Sequence, residues 1–195
     1  MQAPIVLASS SRYRQELLAR LGLPFTTDVP SVDEAPLAHE APAQTAQRLA
    51  LLKARAVARR HPGAIVIGSD QVAELDGRPI GKPGDHARAR AQLIAMSART
   101  VRFHSALAVL DASTGQAQEA CIATDVRFRP LSEPAIESYL LADRPYDCAG
   151  SAKIESLGIC LVAAVHSDDP TALIGLPLIA LTSMLTAVGV ALPPR

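Results

Sequence analysis

The segment Ala64-Ile65-Val66-Ile67-Gly68-Ser69-Asp70 constrains this chain more than any other: a continuous apolar run that stops abruptly in polar residues. A strand with one face in water alternates apolar and polar side chains, whereas a strand buried on both faces reads as an unbroken run. Burial on both faces requires a sheet flanked by helices, which is the α/β arrangement. With 195 residues and 49% hydrophobic residues, the chain has ample material for such a core. Aromatics are only 3%, so that core must be built from Ala, Leu, Val and Ile.

The pattern on either side agrees. Residues 3–9 predict a short buried strand, and the following RYRQELLARLGL carries Leu17, Leu18, Leu21 and Leu23 at helical spacing before Gly22 and Pro24 stop it. Pro30, Pro36 and Pro42 mark an extended loop over 28–42, and an Ala-rich helix is predicted over 43–60. Past Asp70, an Asp-Gly turn joins two short strand-like pieces, and a helix is predicted over 85–96. A long hairpin over 99–112 and 117–128, a helix over 132–142, a strand near 158–165 and a final helix over 172–188 complete the chain. Strands and helices interleave irregularly around an antiparallel hairpin, which predicts a mixed central sheet with flanking helices. The chain shows no repeat, low-complexity tract or long linker, so one domain over 1–195 is expected.

Charge excludes some partners. The 19 basic and 19 acidic residues cancel, leaving no global field for nucleic acid or an anionic membrane. The apolar stretch 172–185 is interrupted by Gly175 and Pro177 and falls short of the ~20 residues that cross a bilayer. The start of the chain lacks the flanks of a signal peptide. Cys121, Cys148 and Cys160 are odd in number and without C-x-x-C spacing, which suits a reducing compartment, so a cytoplasmic location is expected.

Any phosphate site must therefore be local, and the lysines point to where. The 19 basic residues include only three Lys, namely Lys53, Lys82 and Lys153. Lys is a compact point charge on a flexible stem and Arg a planar fork, so a chain that favours Arg keeps Lys where a fork would not serve. Four segments could carry chemistry. In the first, Ser9-Ser10-Ser11 hands a strand over to a helix that opens with Arg12, Tyr13 and Arg14. Helix-start N–H groups and hydroxyls form an anion site, although the same residues also read as a Ser cap with solvated arginines. Arg14 in the first turn opposes the helix dipole, which a bound anion would offset.

In the second segment, Gly68-Ser69-Asp70-Gln71 puts a carboxylate at the end of the buried strand, where open α/β sheets hold ligands. Asp70 there suits a metal ligand or a general base. The third, Gly81-Lys82-Pro83, fixes a lysine in a loop before a helix. The fourth, Cys148-Ala149-Gly150-Ser151-Ala152-Lys153-Ile154-Glu155, allows close packing beside a flat group. Lys53 lies on the helix before the Asp70 strand. Point charges, an Arg, hydroxyls and carboxylates able to hold a divalent cation together describe a polyphosphate site.

These segments, in this order, resemble the Maf family of nucleoside-triphosphate pyrophosphatases. The likeness runs through LASSSRYRQELL, SVDE at 31–34, LALLKARAV at 49–57, IGSDQV at 67–72, GKP at 81–83, CAGSAKIE at 148–155 and IGLPL at 174–178. It implies an elongated α/β fold with two lobes around a cleft, like the inosine-triphosphate pyrophosphatases, and cleavage of a triphosphate to monophosphate and pyrophosphate. It also implies a divalent metal, magnesium or manganese. Asp70 corresponds to the proton acceptor; Ser9, Ser10, Arg14, Lys53 and Lys82 correspond to phosphate-binding positions, and Glu34 joins Asp70 as a metal ligand. Gln15 stands where the family often has a second Arg. Tyr13, Gln71 and Glu155 match the subgroup acting on 7-methyl-GTP, whose cationic base favours an aromatic face by ~0.5–2 kcal/mol. The partners implied are a nucleotide and, at most, a second copy in a homodimer. Two other readings stand beside it: a dTTP or UTP pyrophosphatase of the same family, and a nucleotide-binding regulator of cell division.

Overall fold

A computed structural model describes residues 3–194. Strand β1 (Ile5–Ala8) leads into α1 (Arg12–Ala19), β2 (Phe25–Thr27), α2 (Pro42–Ala58), β3 (Ile65–Leu75) and β4 (Arg78–Ile80). Helix α3 (His86–Met96), the hairpin β5 (Thr100–Asp111) and β6 (Ala117–Phe128), α4 (Glu133–Asp143), β7 (Val162–Ser167) and α5 (Leu178–Ala187) follow. Among the described residues the sheet has seven strands in the order β2-β1-β3-β5-β6-β7, with β4 paired to β3. β1 runs parallel to β2 and β3, while β3, β5, β6 and β7 are antiparallel, so the sheet is mixed as expected.

The period of two along each strand sorts its side chains. Val66, Ala106, Ala108 and Leu110 face α2, meeting Ala46, Ala50, Ala54 and Val57. Ile65, Ile67, Leu107 and Val109 face the other way, onto Leu17 and Leu18 of α1 and Leu181, Met184 and Leu185 of α5. β5 and β6 each run 12 residues, a span of ~40 Å at the rise of an extended chain, longer than one helical layer can cover. Their far ends form a second core: Ala73, Val101, Phe103, Val126 and Phe128 pack on Ala89, Leu93 and Met96 of α3 and Ile136, Tyr139 and Leu140 of α4. The two cores share the sheet and leave a cleft between them, giving the two lobes.

Three readings are corrected. Asp70 lies inside β3, not at its end, because antiparallel pairing with β5 carries the strand on to Leu75 after parallel pairing with β1 stops at Ala8↔Gly68. The last helix is divided: a 3₁₀ turn at Ala172–Ile174 precedes Gly175 (φ 111°), and α5 begins only at Leu178. Buried Asp169 and half-buried Thr171 cap α5, with Asp169 Oδ2 accepting from Ile179 N (2.7 Å) and Thr171 Oγ1 from Leu178 N (2.8 Å). The strand near 158–165 starts at Val162, after a 3₁₀ stretch over Leu157–Leu161. The short β2 lies inside a region where no strand was expected.

Candidate active site

One glycine brings the site together. A Cβ on Gly68 would lie 2.2 Å from Ala50 O and 2.8 Å from Ala54 N, so α2 packs directly on the β3 backbone there. This approach sets Lys53, on α2, over Asp70, which projects from the same face of β3. Lys53 Nζ lies 2.6 Å from Asp70 Oδ1 and 2.9 Å from Glu34 Oε1. Lys53 and Asp70 are buried, at 6% and 7% exposure, while Glu34 reaches in from the exposed 28–41 loop. A buried charge is tolerated when paired and costly when its partner is removed.

Two carboxylate latches hold that loop. Glu40 accepts from Arg48 Nε (2.6 Å) and Nη2 (2.8 Å), from Leu37 N (3.1 Å) and from Thr45 Oγ1 (2.9 Å). The Arg48 bonds chiefly hold the Glu40 carboxyl down to about 2. At the other end, Asp28 accepts from Arg60 Nε (2.9 Å) and meets His61 Nε2 (2.8 Å), and these bonds bring its carboxyl to about 2. Pro42 opens α2 at a position where its missing N–H is not needed, and Gln44 reaches back to Ala41 N (3.0 Å).

The floor is completed by α1. Ser11 caps it, accepting from Arg14 N at 3.4 Å. Buried Ser9 accepts from Ser11 N (3.1 Å) and lies 3.5 Å from Arg14 Nη1. Arg14 Nε donates to Gly175 O at 2.9 Å. Burial pulls the guanidinium below its ordinary range, while Asp70 and Glu34 draw it back up, so Arg14 sits in the field of both carboxylates. A cation in the first turn is thereby balanced by acids from two other elements rather than left facing the helix dipole.

A cleft of about 1010 Å³ lies over this floor. Ser9, Ser10, Tyr13, Arg14, Glu34, Lys53, Asp70, Gln71, Lys82 and Glu155 all line it, and so does Lys153. All three lysines of the chain thus face one cavity. Lys53 is held by two carboxylates, and Lys153 by Asp147 (3.3 Å) and Asp143 O (3.5 Å). Exposed Lys82 makes no ion pair among the described residues. On the far wall, burial raises the Tyr13 hydroxyl above its ordinary value, followed by Cys148 and Asp147, while Lys153 lowers it. The Arg12 guanidinium lies 5.7 Å from the Tyr13 ring centroid. Burial and Asp147 push the Cys148 thiol up to about 12, so it stays protonated and unreactive at neutral pH.

Gln71 faces the cleft, yet its amide is tied back. Its Nε2 lies 2.9 Å from Ser105 Oγ, 3.1 Å from Ala172 O and 2.9 Å from Leu173 O. Ser69, Ser105, Glu40 and Arg48 were not singled out from the sequence. For the two serines the signal was a polar residue at an inward position of an apolar strand. For Glu40 and Arg48, eight residues apart across a predicted helix start, nothing local marks the pair.

Asp70 and Glu34 oxygens both touch one nitrogen, so the two carboxylates converge on a single point of the cleft. Divalent cations that bridge phosphates typically take one or two protein carboxylates, the rest being water and substrate. This donor pair fits that pattern, but Lys53 Nζ fills the point between the two oxygens, so a cation held by both would have to displace the ammonium. Among the described residues no group of three or more His, Cys, Asp or Glu could hold a metal unaided.

An α/β fold whose cleft gathers hydroxyls, cations and two convergent carboxylates defines a class of polyanion-binding site. The chain belongs to the Maf family: the family described as Maf-like protein matches residues 4–188. A relative from Cupriavidus metallidurans named 7-methyl-GTP pyrophosphatase is 60% identical over 185 residues, covering 95% of this chain and 93% of the relative. A protein of the same name from Ralstonia nicotianae is 60% identical over 188 residues, covering 96% of this chain and 97% of the relative. Another from Bordetella avium is 60% identical over 185 residues, covering 95% and 93%.

Proposed function

We propose that this protein hydrolyses a nucleoside triphosphate, preferentially 7-methyl-GTP, to the monophosphate and pyrophosphate. The observation that carries this reading is Lys53 bridging Asp70 and Glu34 on the floor of a cleft with Arg14 beside them. The names of the relatives from Cupriavidus metallidurans and Ralstonia nicotianae support the substrate.

Lys82, Arg14 and the Ser9–Ser10 hydroxyls at the start of α1 bind the phosphate oxygens, supplying charge stabilisation as the α-phosphorus is attacked. Lys53 holds Asp70 Oδ1 at 2.6 Å, which leaves Oδ2 to take the proton of the attacking water. The water oxygen bonds to the α-phosphorus, the bond from that phosphorus to the oxygen bridging the β-phosphate breaks, and pyrophosphate leaves. A divalent cation, magnesium or manganese, would be held by Asp70 and Glu34 in place of the Lys53 ammonium, and when bound it would neutralise phosphate charge. Tyr13, whose ring already lies beside one cation, and Glu155 at the rim are suited to a cationic, hydrogen-bonding base. The three free thiols fit a cytoplasmic enzyme.

Asp70→Asn should lower turnover of 7-methyl-GTP by ~100-fold or more while nucleotide binding, measured by calorimetry, stays within a few-fold of the parent. Near-parental turnover in that variant contradicts the assignment.

A further inference from the structure

Three buried or half-buried side chains on one face of the sheet hold three main-chain carbonyls of a single loop. Ser69 and Gln71 lie two apart on β3, and Ser105 sits opposite Gln71 on β5 in register. Ser105 is fully buried, and its Oγ donates to Ala172 O at 2.6 Å while accepting from Gln71 Nε2 at 2.9 Å. The Gln71 amide also meets Ala172 O and Leu173 O. Ser69 Oγ lies 2.8 Å from Ala106 O on β5 and 2.9 Å from Gly175 O, so its one proton is shared between strand and loop, and Gly175 O also receives Arg14 Nε at 2.9 Å. Leu173, Ile174 and Gly175 line one wall of the cleft.

Polar groups in an apolar interior are costly unless bonded, and Ser105 and Gln71 bond only each other and the loop, while Ser69 divides its bonding between the loop and β5. Gly175 adds a backbone reason. At φ 111° it turns the chain out of the 3₁₀ segment, and this conformation offers its carbonyl to two donors at once. The row of side chains therefore sets where the wall stands and, through Gly175 O, where the Arg14 guanidinium points.

We infer that Ser105 is a positioning residue for the cleft, and that Gln71 acts on base selection through the Leu173–Gly175 wall instead of by touching the base. Ser105 does not line the cleft. Its effect passes through Gln71 and the Ala172 carbonyl. This inference rests on the reading of the cleft as a nucleoside-triphosphate site, so its test has one arm that needs no nucleotide.

In that arm, amide hydrogen exchange over 171–176 is followed in the ligand-free protein. Ser105→Ala and Gln71→Asn should each speed exchange there, since Ile174 N and Gly175 N bond back to Thr171 O and Ala172 O within the loop they anchor. In the second arm, the ratio of kcat/KM for 7-methyl-GTP over GTP should change ~2–10-fold in either variant, the range of one lost hydrogen bond. The double variant should change it no more than the larger single, because both act through one wall. Leu110→Ala removes packing from the same strand on its other face, in the cluster against α2 that holds no wall residue, so it should lower the thermal midpoint and leave the ratio unchanged. Parental exchange at 171–176 in Ser105→Ala, or a parental ratio beside a lowered midpoint, overturns the inference. Should Ser105→Ala fail to fold, Gln71→Asn decides by the same two readouts. Absence of pyrophosphate release from either nucleotide by the parent protein refutes the functional reading, and exchange alone then decides the positioning claim.

Discussion

At the scale of single residues, the centre of this site is one ammonium between two carboxylates. Lys53 Nζ touches Asp70 Oδ1 and Glu34 Oε1, with Arg14 in the field of both acids. A flexible stem ending in a point charge can reach both oxygens from α2, whereas the wider guanidinium fork would have to displace one. Removing the cation leaves two convergent negative groups with a buried member. Lys53→Met should therefore destabilise the fold by ~3 kcal/mol in urea unfolding, and Lys53→Met combined with Asp70→Asn should recover part of that loss. A double variant no more stable than Lys53→Met would show that the pair is not coupled. Much of this residue set was legible in the sequence: a chain with three lysines placed every one of them in the cleft. Glu34 was legible only through the family pattern, since nothing local says that a loop acid will fold back over α2. The supporting serines show in the sequence only as polar residues inside apolar strands, with nothing to name their main-chain partners, and the Glu40–Arg48 latch was not legible, because its two residues are joined only by the fold.

At the scale of elements, the packing of α2 on β3 decides whether the site forms. Gly68 is the contact point, with Ala50 and Ala54 as its small counterparts. A methyl group at Gly68 would meet backbone, not a flexible side-chain end, so α2 must move. Gly68→Ala should cost ~1–3 kcal/mol of stability and also lower activity, because Lys53 and Asp70 separate with the helix. Thermal melts and pyrophosphate release measure the two effects, and a variant with parental values of both would refute the tight contact. The β5–β6 hairpin was read almost to its observed ends, since alternation and a turn are local signals. The true extent of β3 was not, since the polar Ser69-Asp70-Gln71 reads as a break between the buried run and the short strand-like piece at 72–75, which pairing with β5 joins into one strand. The break in the last helix was also hidden. Gly175 and Pro177 are visible, but the Asp169 and Thr171 caps that restart the helix at Leu178 are side-chain contacts made in three dimensions.

At the scale of the molecule, a long sheet with two cores places the cleft where neither helical layer covers the strands, and the 28–41 loop closes one side. That loop is pinned at both ends by carboxyls held well below their ordinary values: Asp28 from 3.8 to about 2, and Glu40 from 4.5 to about 2. Both release protons more readily folded than unfolded, so their contribution to stability is complete above the ordinary values and is lost as pH falls toward about 2. Acid unfolding should therefore begin as pH drops below those ordinary values, and Asp28→Asn with Glu40→Gln should flatten that limb of the stability–pH curve. An unchanged limb would mean that the latches do not govern acid stability. The central claim, that this cleft cleaves a nucleoside triphosphate with a preference for the methylated purine, has a direct test. Pyrophosphate release is measured for 7-methyl-GTP, GTP, dTTP, UTP and CTP with magnesium or manganese. Highest kcat/KM on 7-methyl-GTP, lost in Asp70→Asn, is the expected result; a preference for dTTP or UTP, or no pyrophosphate from any of the five, would contradict it.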